Sequence, residues 1–252
     1  MKQIGLIGYP LSHSFSKKYF EDKFQRLDIK DYFYELFPIE KIDQFDSLLQ
    51  QHPQLVGLNV TIPYKELIIP YLNHLDVTAK AVGAVNCIKI EYINETKNLI
   101  GYNTDVFGFR QSIKPFLEPQ HEKALIIGTG GASKAVEYVL KKIGVECWFV
   151  SRDKFETKKL NCFNYDELND YVIQAFKLIV NTSPVGMYPN INNCPNIPYQ
   201  FISSGHLLYD LVYNPEETLF MKKGKEHGAV TVNGLSMLYH QADKAWEIWN
   251  QK

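Results

Sequence analysis

Lys123-Ala124-Leu125-Ile126-Ile127-Gly128-Thr129-Gly130-Gly131-Ala132-Ser133 joins an apolar run to a glycine-rich segment and an amphipathic one. The run from Ala124 to Ile127 is apolar throughout, which suits a strand that a parallel sheet buries on both faces. A helix pattern over Ser133 to Ile143 follows at once. Between them, a glycine turn lets backbone N–H groups approach a pyrophosphate, and the helix N-terminus adds a favourable partial charge. Ser133 stands where the dinucleotide fingerprint has its third glycine, so a tight strand-to-helix turn without a ligand stays open as an alternative. After the next strand, Glu146 to Val150, come Ser151, Arg152, Asp153 and Lys154, where such a fold reads the adenosine ribose. A guanidinium clamps a 2′-phosphate, whereas a carboxylate prefers unphosphorylated ribose hydroxyls, and both side chains are present.

Downstream, strands are expected at Leu178 to Asn181, Leu207 to Leu211 and Val230 to Val232, with a helix before Gly228. Upstream, strand patterns at Gln3 to Gly8, Tyr32 to Phe37, Leu55 to Thr61 and Ala84 to Ile90 alternate with helix patterns at Ser16 to Leu27 and Ile39 to Gln51. Another helix pattern begins around Asn103 to Phe107. The last helix, from Leu235, puts Leu235, Leu238, Ala242, Ala245, Trp246 and Trp249 on one apolar stripe. The expected architecture is α/β with two domains. Residues 1–104 form an N-terminal α/β domain, residues 105–234 a Rossmann-like, doubly wound dinucleotide-binding domain, and 235–252 a C-terminal helix that returns to the first.

At 252 residues and 45% hydrophobic, the chain can bury one large core or two modest ones. Lys and Arg total 27 against 28 Asp and Glu, which leaves no basic field for nucleic acid and no polybasic patch for an anionic membrane. A small-molecule partner is expected. The N-terminal apolar run is too short for a signal peptide and no stretch suits a membrane span, so a cytoplasmic protein is expected, either monomer or homodimer. Cys87, Cys147, Cys162 and Cys194 are scattered without a CxxC pair or neighbouring histidines, which argues for reduced thiols rather than a zinc site or disulfides. No metal is expected.

Several segments, in order along nearly the whole chain, resemble the shikimate dehydrogenase family. In the first half these are Gly8-Tyr9-Pro10-Leu11-Ser12-His13-Ser14-Phe15-Ser16, Asn59-Val60-Thr61-Ile62-Pro63-Tyr64-Lys65, Gly83-Ala84-Val85-Asn86 and Gly101-Tyr102-Asn103-Thr104-Asp105. The glycine turn, Asn181-Thr182-Ser183-Pro184-Val185-Gly186-Met187, Asp210-Leu211-Val212-Tyr213-Asn214-Pro215 and Val232-Asn233-Gly234-Leu235 with Gln241 continue it. Singly each is weak; in order they are specific. One departure is Lys17, where the family usually carries proline.

The resemblance implies reduction of 3-dehydroshikimate with NADP, in the pathway to chorismate and the aromatic amino acids. Lys65 and Asp105 are then the catalytic pair. Ser14 and Ser16 hold the substrate carboxylate, and Thr61, Asn86, Tyr213 and Gln241 contact the ring hydroxyls. Gly128, Thr129, Gly130, Gly131, Ala132, Ser151, Arg152, Lys154, Thr182, Gly234 and Met237 take the cofactor, with Met187 and Met237 beside the nicotinamide.

The residue types suit these roles. Hydride addition to a ketone leaves an alkoxide that needs a proton donor, which Lys65 supplies while Asp105 holds it. A polyol calls for several convergent hydroxyls and amides. Plainer readings stay open beside them: Lys65 as a solvated lysine opening a helix, Ser16 or Asp105 as a helix N-cap, Tyr213 and Asn214 as turn residues before Pro215, the methionines as core filler. His13 is left without a chemical role. The enzymatic alternative is an NAD-using quinate/shikimate dehydrogenase, suggested by Asp153; the other is a nucleotide-binding homologue without turnover.

Overall fold

The computed structural model of the protein describes residues 1–12, 14–93, 96–152 and 161–251. The chain falls into two compact units, Met1–Thr104 with Ala242–Lys252, and Asp105–Gln241.

The first unit is built from β1 (Lys2–Gly8), α1 (Ser16–Arg26), β2 (Tyr32–Pro38), α2 (Phe45–Gln51), β3 (Leu55–Val60), β4 (His74–Leu75), α3 (Val77–Val82), β5 (Cys87–Ile93) and β6 (Thr96–Tyr102). Its sheet runs β2-β1-β3-β5-β6-β4. β1 pairs in parallel with β2 and β3, whereas β5 runs antiparallel to both β3 and β6. Strand side chains alternate between faces, so Ile7, Leu58, Val60 and Ile88 meet Phe45, Leu48 and Leu49 of α2, while Ile4, Leu6, Tyr34 and Cys87 meet Phe20 and Phe24 of α1.

The second unit continues with α4 (Thr104–Ile113), β7 (Lys123–Ile127), α5 (Gly131–Lys142), β8 (Glu146–Ser151), β9 (Cys162–Asn164), α6 (Asp170–Ala175), β10 (Leu178–Asn181), β11 (Leu207–Asp210), α7 (Leu219–Glu226), β12 (Val230–Val232) and α8 (Leu235–Asn250). Its sheet is parallel throughout, in the order β12-β11-β10-β7-β8-β9. Chain direction along the sheet reverses between β7 and β10, which makes their C-terminal ends the switch point of a doubly wound fold. Ala124 and Ile126 pack with Val136 and Leu140 of α5, and Leu125 and Ile127 pack with Ile173 of α6 and Phe220 of α7. That two-sided burial is why the strand shows no polar alternation.

Helix α8 serves both units: Met237 lies in the core of the second, and Ala242, Ala245, Ile248 and Trp249 lie in the core of the first. The packing boundary therefore falls within the helix, after Gln241, rather than at its start. Other differences are local. The expected strand over Ala84 to Ile90 begins only at Cys87, because Gly83 closes α3 in a left-handed conformation (φ 69°) and residues 84–86 form a connecting turn. The expected helix over Ile39 to Gln51 starts at Phe45, after a 3₁₀ turn over Ile42–Gln44. β4, β6, β9, α3 and α6 are additions whose short or mixed patterns carry little periodicity. All four cysteines are free thiols. Among the described residues no helix is long and apolar enough to cross a membrane, and no cluster of metal-ligating side chains occurs.

Two buried histidines brace the second unit. Nδ1 of His121 accepts the Glu118 N–H (3.0 Å), and Nδ1 of His206 accepts the Ser203 N–H (3.0 Å) while Nε2 meets the Ile173 carbonyl (2.9 Å). Burial lowers the pKa of both below the ordinary histidine value. The folded state then binds fewer protons than the unfolded chain just below pH 6.5, so stability is full above that pH and is lost as pH falls through this window. Chemical denaturation should give a lower unfolding free energy at pH 5.5 than at 7.5, and His206→Gln should shrink the difference; a difference unchanged by the substitution would remove His206 as its source.

Candidate active site

In the first unit, the loop after β1 and the turn after β3 are locked together. Thr61 N–H donates to the Ile7 carbonyl (3.0 Å), and a Cβ on Gly8 would lie 2.4 Å from Thr61 Cγ2. Helix α1 begins at Ser16, with Phe15 at the cap position and no side-chain cap bond. Ser16 is thus the first helical residue, and its N–H donates to Ser14 Oγ (3.3 Å). Both serines are half-buried.

Lys65 lies in a turn rather than at a helix start. Tyr64 and Ile68, both buried, pin that turn, and the Tyr64 hydroxyl donates to the Ile39 carbonyl (2.7 Å). The Lys65 carbonyl accepts from Val85 N–H (2.7 Å), and Asn86 N–H donates to the Tyr102 carbonyl (3.1 Å). The Asn86 side chain then takes hold of Thr104: its Oδ1 accepts Thr104 N–H (2.6 Å) and its Nδ2 donates to Thr104 Oγ1 (2.9 Å). Asn103 Nδ2 donates to the Ala84 carbonyl (2.8 Å). Lys65 is thus tied to Val85, the residue before Asn86, and Asn86 in turn to Thr104.

Asp105, the next residue, is buried and sits inside the first turn of α4. Since the helix already begins at Thr104, Asp105 is not its cap; a carboxylate there is still favoured by the helix dipole.

In the second unit, Gly128 ends β7 with φ 101°, a conformation that glycine adopts without strain. Its N–H donates to the Val150 carbonyl (3.0 Å). Helix α5 starts at Gly131 behind a Gly130 cap with no side-chain bond, and a Cβ on Gly130 would meet nothing within 4 Å. Buried Ser133 occupies the third-glycine position and returns its hydroxyl to the Gly130 carbonyl (2.7 Å), so a small polar side chain is absorbed there. Thr182, just beyond β10, binds the Ile127 carbonyl through both N–H (2.9 Å) and Oγ1 (2.6 Å). The turn 128–132 and Thr182 thus share the switch point.

Ser151 closes β8 half-buried, and Arg152 follows it exposed. His13, Asp153 and Lys154 lie outside the described residues. Tyr213 is half-buried in the loop after β11. Gly234 N–H donates to the Val212 carbonyl (3.2 Å), and a Cβ on Gly234 would lie 2.1 Å from the Leu211 carbonyl oxygen, so that contact admits only glycine. Met237 is buried, Met187 exposed, and Gln241 half-buried, donating through Nε2 to the Leu238 carbonyl (3.0 Å).

Supporting residues escaped the sequence reading. Buried Asp210 accepts from Asn181 Nδ2 (2.9 Å), Val212 N–H (3.0 Å) and Thr218 Oγ1 (2.6 Å), tying the loop that carries Thr182 to the one that carries Tyr213. Burial pushes its carboxyl up to about 6, against the lowering effect of those donors. Asn59 and Tyr34 form a second buried pair (2.8 Å). Asn59 and Asp210 each open a segment that carries the family resemblance, but as polar residues at a strand end they show no role until their partners are placed.

Residues 6–88 match the model of the shikimate dehydrogenase substrate binding domain. A shikimate dehydrogenase (NADP(+)) of Methanococcus aeolicus is 38% identical over 98% of this chain and 91% of its own length. The chain belongs to the shikimate dehydrogenase family. Among solved shikimate dehydrogenases, one from Peptoclostridium difficile is 37% identical with a TM-score of 0.85, covering 99% of this chain and 92% of that one. One from Thermus thermophilus, in complex with NADP(H) and shikimate, is 27% identical with a TM-score of 0.84 over 99% and 94% of the two chains. A dinucleotide fits the shikimate dehydrogenase fold as this chain builds it: Gly130 faces open space, with nothing within 4 Å of where a Cβ would stand, and the start of α5 carries no side-chain cap bond.

Proposed function

We propose that this protein is a cytoplasmic shikimate dehydrogenase, catalysing the reversible NADPH-dependent reduction of 3-dehydroshikimate to shikimate on the route to chorismate. Family membership over nearly the whole chain carries this reading. Residues 1–104, with the last part of α8, form the substrate-binding and catalytic domain, and the second unit binds the cofactor. Bound NADPH supplies the hydride.

Lys65 Nζ delivers the proton that the new alkoxide needs, and Asp105 holds the ammonium at that oxygen. Ser14 and Ser16 bind the carboxylate, and Thr61, Asn86, Tyr213 and Gln241 orient the ring by its hydroxyls. The N–H groups of 128–132 take the pyrophosphate, Thr182 braces that turn, and Gly234 and Met237 bound the nicotinamide end. Arg152, exposed at the end of β8, takes the 2′-phosphate and adenine face beside Ser151, with Lys154 adding positive charge.

A charge-assisted phosphate contact is worth about 1.5–3 kcal/mol, or roughly a ten- to hundred-fold preference. The test is oxidation of shikimate and quinate with NADP and NAD in parallel, in the native enzyme and in Arg152→Ala. Shikimate with NADP should give the highest kcat/KM, and the variant should lose about ten- to a hundred-fold of the cofactor preference. A native preference for quinate and NAD would favour the second reading, which Asp153 motivates. Absence of any nicotinamide absorbance change would leave a nucleotide-binding homologue without turnover.

A further inference from the structure

Tyr34 is a buried tyrosine on β2 whose hydroxyl points at the substrate-binding elements rather than at solvent. Its ring stacks on Phe20 of α1, with centroids 4.6 Å apart and planes 9° from parallel, so the position of the hydroxyl is set by packing. That hydroxyl donates to Asn59 Oδ1 (2.8 Å), and the Ser16 side chain lies close enough to it to oppose the rise in its pKa. Burial raises the Tyr34 pKa well above the ordinary phenol value, which keeps it a proton donor at any working pH. Asn59, oriented by this bond, turns its Nδ2 to the Asn86 carbonyl (3.4 Å), and Asn86 in turn grips Thr104. A continuous chain of hydrogen bonds therefore runs from Tyr34 through Asn59 and Asn86 to Thr104, with Ser16 beside its first member, inside a unit whose surroundings are apolar.

We infer that Tyr34 is a positioning residue of the substrate site, holding the Ser16 hydroxyl and, through Asn59, the Asn86 segment in the one arrangement that receives shikimate. The inference rests on the reading that Ser16 and Asn86 contact that substrate. A phenol has one proton to give and lone pairs to accept with. Tyr34 gives its proton to Asn59, which leaves its lone pairs to accept from the neighbouring Ser16 hydroxyl, so that the serine is steered toward one rotamer before it meets the substrate carboxylate. Removing the hydroxyl leaves Asn59 Oδ1 buried without its donor and lets Ser16 turn, which loosens two substrate contacts that exist before the reaction begins. Such a loss of pre-organised ground-state binding raises KM and spares kcat.

The test is Tyr34→Phe, which keeps the ring on Phe20, beside Tyr32→Phe as control. Tyr32 lies on the same strand, is equally buried, and its hydroxyl donates to Asn250 Oδ1 (3.1 Å) and accepts from Lys2 Nζ (3.2 Å), away from the polar chain. Tyr34→Phe should raise KM for shikimate about tenfold, the effect of one lost hydrogen bond of ordinary strength. Its kcat and its KM for NADP should stay within about twofold. Tyr32→Phe should leave all three in place even if it melts earlier. In the Ser16→Ala background, the Tyr34→Phe change should raise KM by less than it does alone, since part of its effect passes through that serine and the rest through Asn59. An active native enzyme whose shikimate KM is unmoved by Tyr34→Phe, or is moved equally by Tyr32→Phe, overturns the positioning role alone. A native enzyme inactive on shikimate overturns the functional reading, and this inference with it.

Discussion

Lys65→Ala should lower kcat for shikimate oxidation by about 10²–10⁴-fold while leaving KM for shikimate within a few-fold, because a positioned proton donor acts in the transition state. In free energy that is about 2.7–5.5 kcal/mol at 1.36 kcal/mol per factor of ten. The fold should not move. The Lys65 backbone contributes its carbonyl to Val85 N–H, a bond that the substitution keeps, and the turn is held by Tyr64 and Ile68 on either side. Melting temperature and far-ultraviolet circular dichroism should therefore match the native enzyme, which separates lost chemistry from lost structure. Asp105→Asn should show a similar fall in kcat with a rise in KM as well, since it disturbs a buried position in the first turn of α4. Near-normal kcat in Lys65→Ala would return this lysine to an ordinary half-buried surface position.

Trp249→Ala should destabilise the first unit by about 3–5 kcal/mol, the usual cost of removing a large buried aromatic side chain. Trp249 is 5% exposed, donates through Nε1 to the Ile88 carbonyl (2.9 Å) and packs on Phe20 at a centroid distance of 5.5 Å. Its indole lies directly on the backbone of Gly57, where a Cβ would fall 2.3 Å from ring atoms. The substitution therefore opens a cavity and removes a hydrogen bond to a buried carbonyl at once. Against a total stability of roughly 5–15 kcal/mol for a domain, the loss should appear as a fall of about 10 °C or more in the midpoint of thermal unfolding. Gly57→Ala should cost about 1–3 kcal/mol by pushing the same indole away. A Trp249→Ala variant that melts within about 2 °C of native would show that the end of α8 contributes little to this core.

Local pattern and chemistry coincide in the parts of this protein that could be read from its residues alone. The apolar run Ala124 to Ile127 followed by glycines reads as a buried strand entering a helix, since an unbroken apolar run of strand length meets a 3.6-residue period across a glycine-rich turn. The Leu235 to Trp249 stripe likewise announced a helix with one buried face, and the ordered family segments indicated the chemistry. Local pattern did not decide which partners those segments take.

Helix α8 reads as one amphipathic element, yet its Met237 and its Trp249 serve different cores, because a stripe specifies that a face is buried and not by what. The plain reading of Ser16 as a helix cap gave way to a first helical residue, and that of Lys65 as a helix opener gave way to a pinned turn. Strand pairing between β1 and β3 and the bond from Val85 to Lys65 set both loops. The Tyr34–Asn59–Asn86–Thr104 chain was beyond reach of the sequence for the same reason. Its hydrogen bonds join residues 18 to 27 positions apart on separate strands and turns, and only the folded sheet brings them within 3.4 Å of each other.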